Sequence, residues 1–69
     1  MRVKVRLLPV RKGVKTLTLD DGAKAQDAVK ALGLHLDAWI PVRDDSPIPL
    51  DEPLHDGDDI KLIAVVSGG

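Results

Sequence analysis

Gly68 and Gly69 end the sequence, and they are the residues best suited to chemistry: a terminal carboxylate carried on two positions without side chains. Glycine takes extended or left-handed conformations at little steric cost, so a Gly-Gly tail can thread a narrow channel and present its carboxyl carbon to another protein's active site. Ser67 precedes it, and before Ser67 the apolar run from Ile60 to Val66 reads as a strand that would anchor one end of the tail. The competing reading is an incidental terminus, because chain ends fray and tolerate small residues.

Other reactive residue types form no constellation. The chain has no cysteine, which removes disulfides, thiolate metal sites and cysteine nucleophiles. His35 and His55 are the only histidines, far apart and without paired-ligand spacing, so no metal site is expected. Asp56, Asp58 and Asp59 lack the spaced oxygen ligands and distal Glu of a calcium loop, and a turn before the last strand accounts for them better. Trp39, the single aromatic, reads as a partly buried core or rim residue, with a docking surface as the alternative. No phosphate-binding glycine loop and no triad spacing is present.

With 69 residues the chain is expected to form one domain, residues 1–66, followed by a flexible Ser-Gly-Gly tail, residues 67–69. A domain of this size buries only about 60% of the surface its unfolded chain exposes, which leaves little room for a deep catalytic cleft. Leu, Ile, Val and Ala must supply the core. No stretch approaches the roughly 18 apolar residues of a membrane span, and the N-terminus carries no signal-peptide pattern, so no membrane partner and a cytoplasmic location are expected. The net charge of −1 hides a polarity: residues 1–34 carry eight Lys/Arg against three Asp (+5), and residues 35–69 carry two against eight acidic residues (−6). Such a split can mark a docking face, or simply a solvated surface with its two signs on different strands.

Val3, Val5 and Leu7 alternate with Arg2, Lys4 and Arg6, which predicts a first strand over Arg2 to Leu8. A second strand, Val14 to Leu19, follows after Pro9 to Gly13, a connection short enough for an antiparallel hairpin. Ala25, Ala28, Val29 and Leu32 then recur at helical spacing, with Asp27 in the first turn and Gly33 placed to end the helix in a Schellman motif that brings Leu34 to Val29. Lys24 stands where an N-cap Ser, Thr or Asp is preferred. A third strand is expected over Ala38 to Arg43, weakened by Pro41, and a short edge strand over Ser46 to Leu50. Asp51 to Asp59 is a loop with Asp56-Gly57 as its turn, and the continuous apolar character of Ile60 to Val66 predicts the sheet centre. The order gives an α+β domain, a mixed sheet of four to five strands with one helix across one face. With the first and last strands as a parallel central pair, the tail would leave from mid-sheet.

Ile48-Pro49-Leu50, Leu54 with Asp56-Gly57-Asp58, Ile60-Lys61-Leu62-Ile63 and Ser67-Gly68-Gly69, together with Gly22 and Asp27 at the helix opening, are similar to one family's pattern. Over essentially its whole length the chain resembles the ubiquitin-like β-grasp sulfur carriers of the MoaD and ThiS type and the related archaeal small modifier proteins. It departs from them at Lys24, where Thr is frequent, at Asp44-Asp45, where Asn or Gly is usual, and at Leu7 and Leu8, where the molybdopterin branch has an aromatic residue. These departures touch the pathway and leave the mechanism intact.

The resemblance implies a ubiquitin-like β-grasp fold and a carrier that is itself no enzyme and binds no cofactor. A ubiquitin-activating-type enzyme would use ATP and Mg²⁺ to adenylate the Gly69 carboxylate, and a sulfur donor would convert it to a thiocarboxylate. Gly69 is then the attachment point, Gly68 gives passage, and Ser67 contributes tail hydrogen bonds. The acceptor could be a molybdopterin synthase, thiamine thiazole formation or a tRNA thiolase, and conjugation of Gly69 to target lysines remains open beside sulfur carriage. A third reading is a β-grasp module holding RNA phosphates on Arg2, Lys4, Arg6, Arg11, Lys12 and Lys15, although it has no stacking aromatic near them.

Overall fold

The computed structural model of the chain describes residues 1–8 and 14–65; the expected connection at residues 9–13 and the tail at residues 66–69 lie outside the described residues. Alternation in β1, Arg2–Leu8, works as the sequence predicts: Val3 and Val5 are buried while Arg2, Lys4 and Arg6 stay exposed. β2, Val14–Thr18, pairs antiparallel with it, with Arg2 opposite Thr18 and Arg6 opposite Val14. The strand stops one residue short of Leu19, yet the Leu19 N–H still donates to the Met1 carbonyl at 2.8 Å.

Helix α1, Ala25–Ala31, buries Ala25, Ala28 and Val29 on its apolar stripe. It ends in the expected Schellman geometry, with Gly33 at φ 72°, its N–H on the Lys30 carbonyl at 2.9 Å and the Leu34 N–H on the Val29 carbonyl at 3.1 Å. At the other end Lys24 is the N-cap and its ammonium, a donor only, can cap nothing. Backbone and carboxylate replace it. The Asp27 carboxylate accepts from the Lys24 N–H at 2.8 Å, while the first two helical N–H groups, of Ala25 and Gln26, donate to the carbonyls of Glu52 at 2.9 Å and Leu50 at 2.8 Å. The loop before the last strand is thus the cap of the helix.

Strand β3 is Trp39–Arg43, one residue shorter than expected, because Ala38 belongs to a 3₁₀ turn, Leu36–Ala38, that the sequence reading does not contain. β4 is Ser46–Pro47 rather than Ser46 to Leu50: Pro47 and Pro49 remove two of the donors a longer ladder would need. Pro41 survives inside β3 because its carbonyl points toward β4, accepting from Ile48 N–H at 2.9 Å. Its donorless nitrogen faces the same side, where β4 is too short to ask for a bond. Asp44 and Asp45 close the β3–β4 hairpin as a two-residue turn with φ of 53° and 63°, the left-handed pair of a type I′ turn.

β5, Asp59–Ala64, completes a five-stranded sheet in the order β2-β1-β5-β3-β4. It runs parallel to β1, with Val5 opposite Ile60 and Leu7 opposite Leu62, and antiparallel to β3. Val3, Val5, Ile60 and Leu62 form a buried layer under Ala25, Ala28, Val29 and Leu54. The fold is therefore the mixed-sheet, single-helix β-grasp expected, with five strands.

Because Leu62 is fully buried at the sheet centre, Leu62→Ala should destabilise by about 3 kcal/mol. For a domain of this size that is a fall in thermal midpoint on the order of 10–20 °C, whereas Val14→Ala on the exposed edge should change stability by less than about 0.5 kcal/mol. Asp44→Val places a β-branched residue at positive φ and should cost about 1–2 kcal/mol, against less than about 0.5 for Asp44→Asn, which tolerates that conformation. Urea unfolding of the four variants checks all of these values.

Candidate functional site

Among the described residues, one α-helix covers one face of the sheet and the other face is open. Register decides which residues line it. Ile63 lies opposite Leu8 on β1 and Ile40 on β3, and Lys61 lies opposite Arg6 and Val42. Ile40, Ile63 and Val65 remain 42%, 39% and 42% exposed, an unusual state for three large apolar side chains gathered at the same end of a sheet. That is the end from which the chain leaves β5. Val65, the last described residue, is held there by its N–H on the Ala38 carbonyl at 2.9 Å. Ser67, Gly68 and Gly69, the predicted site residues, lie outside the described residues, so the structure describes the place the tail starts from.

The apolar continuity of the last strand thus has a different cause from the one its sequence suggests. β5 is central, but Ile60 and Leu62 alone enter the core; Ile63 and Val65 are apolar on the open face. A buried two-sided strand and a strand with one contact face give the same hydrophobic run.

Toward the opposite end the face is charged. The Arg6 guanidinium grips Asp59 with two parallel bonds, Nε to Oδ1 at 3.2 Å and Nη2 to Oδ2 at 3.0 Å. The hydrogen bond to Asp59, and then its charge, push the Arg6 pKa above its already high ordinary value. Lys61 Nζ lies 3.5 Å from Asp45 Oδ1, and with Asp44 these residues line a shallow depression. Arg2 and Lys4 make no ion pair among the described residues.

The acidic run before β5 is consumed by the fold. Asp56 Oδ1 accepts from the Arg2 N–H at 2.7 Å, and Asp58 Oδ2 accepts from the His55 N–H at 2.8 Å, around a turn whose Gly57 has φ 87°. Arg43, half-hidden beneath this loop, donates to Glu52 Oε2 at 2.6 Å, Asp58 Oδ2 at 3.3 Å and the Pro53 carbonyl at 3.3 Å. The Glu52 bond raises the Arg43 pKa against a smaller opposing effect of burial. This clamp escaped the sequence reading, since its partners lie up to 15 residues from Arg43. His55 Nδ1 stands 3.8 Å from Asp58 Oδ2, and His35 caps the 3₁₀ turn on a different part of the molecule. Among the described residues, no group of three or more His, Asp or Glu is placed to hold a metal ion.

A phosphate-tracking surface on β1 would need Arg2, Lys4 and Arg6 free together with a base-stacking ring. Arg6 is tied to Asp59, and Trp39 lies opposite Ala64 on the core side, packed against the buried cluster. Arg11 and Lys12 fall outside the described residues. No helix among the described residues is long and apolar enough to cross a membrane.

Comparison with known proteins agrees with this arrangement. SAMP1 from Haloferax volcanii has the same fold, at a TM-score of 0.75 and 23% identity over 100% of both chains. A ubiquitin from Caldiarchaeum subterraneum matches at 0.75 and 18% identity over 100% of this chain and 98% of the other. A chain in the complex of subunits 1 and 2 of the molybdopterin-converting factor from Helicobacter pylori 26695 matches at 0.65, with 28% identity over 100% of both. No curated protein matches the sequence. The profile of the ThiS family, however, matches residues 9–69, from the first hairpin through the terminal diglycine, and on that match the chain belongs to the ThiS family.

Proposed function

We propose that this chain is a sulfur carrier whose reacting group is the Gly69 carboxylate and whose catalytic groups all belong to partner proteins. The observation that carries the reading is the position of β5: a central strand delivers the chain end beside an exposed apolar face. From Val65, four further residues reach at most about 14 Å, so an enzyme acting on the terminal carboxylate must stand close to Ile40, Ile63 and Val65. Membership of the ThiS family and similarity to a subunit that works in a complex support the same reading.

A carboxylate is a poor electrophile, because its charge repels nucleophiles and its oxygens leave badly. In the proposed reaction a ubiquitin-activating-type enzyme, using its own ATP and Mg²⁺, lets the Gly69 carboxylate oxygen attack the α-phosphate. Pyrophosphate departs and an acyl-adenylate forms. Hydrosulfide, or the outer sulfur of a persulfide donor, then attacks the carboxyl carbon and AMP leaves. Hydrosulfide gives the thiocarboxylate directly, whereas a persulfide gives an acyl disulfide that a donor-side thiol cleaves, forming a donor disulfide and releasing the thiocarboxylate for an acceptor in molybdopterin, thiazole or tRNA thiolation. This chain supplies the tail and the docking face, Gly68 letting the backbone through without a Cβ and Ser67 hydrogen bonding along it. The proposed ATP-dependent activation fits the cytoplasmic location expected from the sequence. The likeness to SAMP1 and to an archaeal ubiquitin favours a second use of the same activated end, attack by a target lysine to give an isopeptide.

Intact mass of protein isolated from its own cell should show a fraction with one carboxyl oxygen replaced by sulfur; finding only carboxylate while the pathway is active counts against sulfur carriage. Gly68→Val should abolish pyrophosphate exchange with the adenylating enzyme of the same cell while the domain stays folded and docked. Wild-type exchange by that variant would end the threading argument. Removal of Gly68-Gly69 should leave the thermal midpoint almost unchanged, because residues without side chains bury little surface.

A further inference from the structure

Apolar contact at Ile40, Ile63 and Val65 can hold a partner but cannot orient it, since the hydrophobic effect has no direction. A partner free to rotate about that patch would miss the tail. The charges on the same face break this symmetry. Arg2 and Lys4 stand on β1, exposed and without an ion pair among the described residues. Across the sheet, beyond the internally neutralised Arg6–Asp59 pair, the β3–β4 turn presents Asp44, which makes no ion pair among the described residues, and Asp45, which lies 3.5 Å from Lys61 but stays almost fully exposed. Lys4 is in register with Asp59 on β5, and the turn closes β3 next to Lys61, so both charge clusters sit at the end opposite the apolar patch. Strands lie about 4.8 Å apart, which places the two clusters on the order of 10 Å from each other, beyond mutual neutralisation but within one protein footprint. The three sectors mark the corners of a triangle.

We infer that this face is an orienting interface for a protein partner with an apolar centre, carboxylates where it meets Arg2 and Lys4, and a Lys or Arg where it meets Asp44 and Asp45. The inference rests on the carrier reading and specifies the activating enzyme's complementary surface. Only one rotation of such a partner satisfies all three sectors, and in that rotation its catalytic centre lies beyond Val65, where the tail begins. Complementary rim charges of this kind act on encounter and register more than on final affinity.

The test uses the full chain and the purified adenylating enzyme of the same cell, with association rates measured at several salt concentrations. Arg2→Gln with Lys4→Gln takes the net charge from −1 to −3, and Asp44→Asn with Asp45→Asn takes it from −1 to +1. Asn is chosen because both turn positions have positive φ. Steering by net charge would move the two association rates in opposite directions. The orienting interface predicts that both pairs slow association, each by about three- to tenfold, with a shallower salt dependence and thermal midpoints near wild type. The single substitutions Lys4→Gln and Asp44→Asn should show the same sign. Opposite signs, or unchanged rates, overturn the charge arrangement. If wild type is then still adenylated in a Gly68-dependent way, the carrier reading stands; if wild type is neither bound nor adenylated, the carrier reading itself falls.

Discussion

The parallel pairing of β1 with β5 is the constraint on which the rest depends. Two parallel neighbours cannot be joined by a tight turn, so everything between them must travel across a face of the sheet before the chain can return. Here that travel includes α1, and the helix covers the layer of Val3, Val5, Ile60 and Leu62 that the pairing creates. The same pairing places both ends of the described chain in the middle of the sheet. An edge strand would have solvent on one flank; β5, from which the chain goes on toward its C-terminus, has β1 on one side and β3 on the other. With one α-helix among the described residues, the other face of the sheet is left open, and Ile40, Ile63 and Val65 are exposed on it.

A second dependence is less visible. The N-terminal turn of α1 lacks a capping side chain, and its first two N–H groups are satisfied by the carbonyls of Glu52 and Leu50. That loop is in turn held by Arg43, reaching from β3 to Glu52, Pro53 and Asp58. Because Arg43 is largely covered and faces two carboxylates, its removal would leave partly buried Glu52 without its side-chain partner and Asp58 with the His55 N–H alone. The hydrogen bonds therefore run from β3 to the loop to the helix, and the helix fixes the core layer beneath β5. An acidic run that could suggest a cation site is better explained by this chain of bonds, in which Asp56, Asp58 and Asp59 each have a protein partner.

Local signals in the sequence were the legible ones. The alternation of Val3 and Val5 with Arg and Lys gives β1, and Gly33 gives the end of α1, because in both cases the cause lies within a few residues. The misses have distant or weak causes. The 3₁₀ turn Leu36–Ala38 carries no Gly or Pro, and the helix cap is supplied from residues more than twenty positions away. At the candidate site, Gly68 and Gly69 are proposed from residue type alone and lie outside the described residues. The flanking patch is not legible from residue type, since Ile40 and Ile63 look like core residues until the register puts them opposite one another on the uncovered face.

On the proposed carrier function, that register also accounts for how so small a domain could serve a partner's chemistry. In the proposed function the chemistry belongs to the partner, and what this domain contributes is the place from which the carboxylate is delivered. Delivery requires a rigid origin and a short, passable tether, and the two requirements oppose each other within one chain. Central placement of β5 between two hydrogen-bonded neighbours supplies the rigid origin up to Val65. In the proposed function Gly68 and Gly69 supply passage where a side chain would obstruct. A longer tether would lower the effective concentration of the carboxylate at a partner's active site, while a shorter one would bring the folded domain against the channel mouth. Moving the apolar patch away from the tail would have a similar effect, because docking energy gained elsewhere would not hold the carboxylate in reach. The adjacency of Ile40, Ile63 and Val65 to the end of β5 is thus the geometric condition under which, in the proposed function, binding by the domain would be converted into reaction at its end.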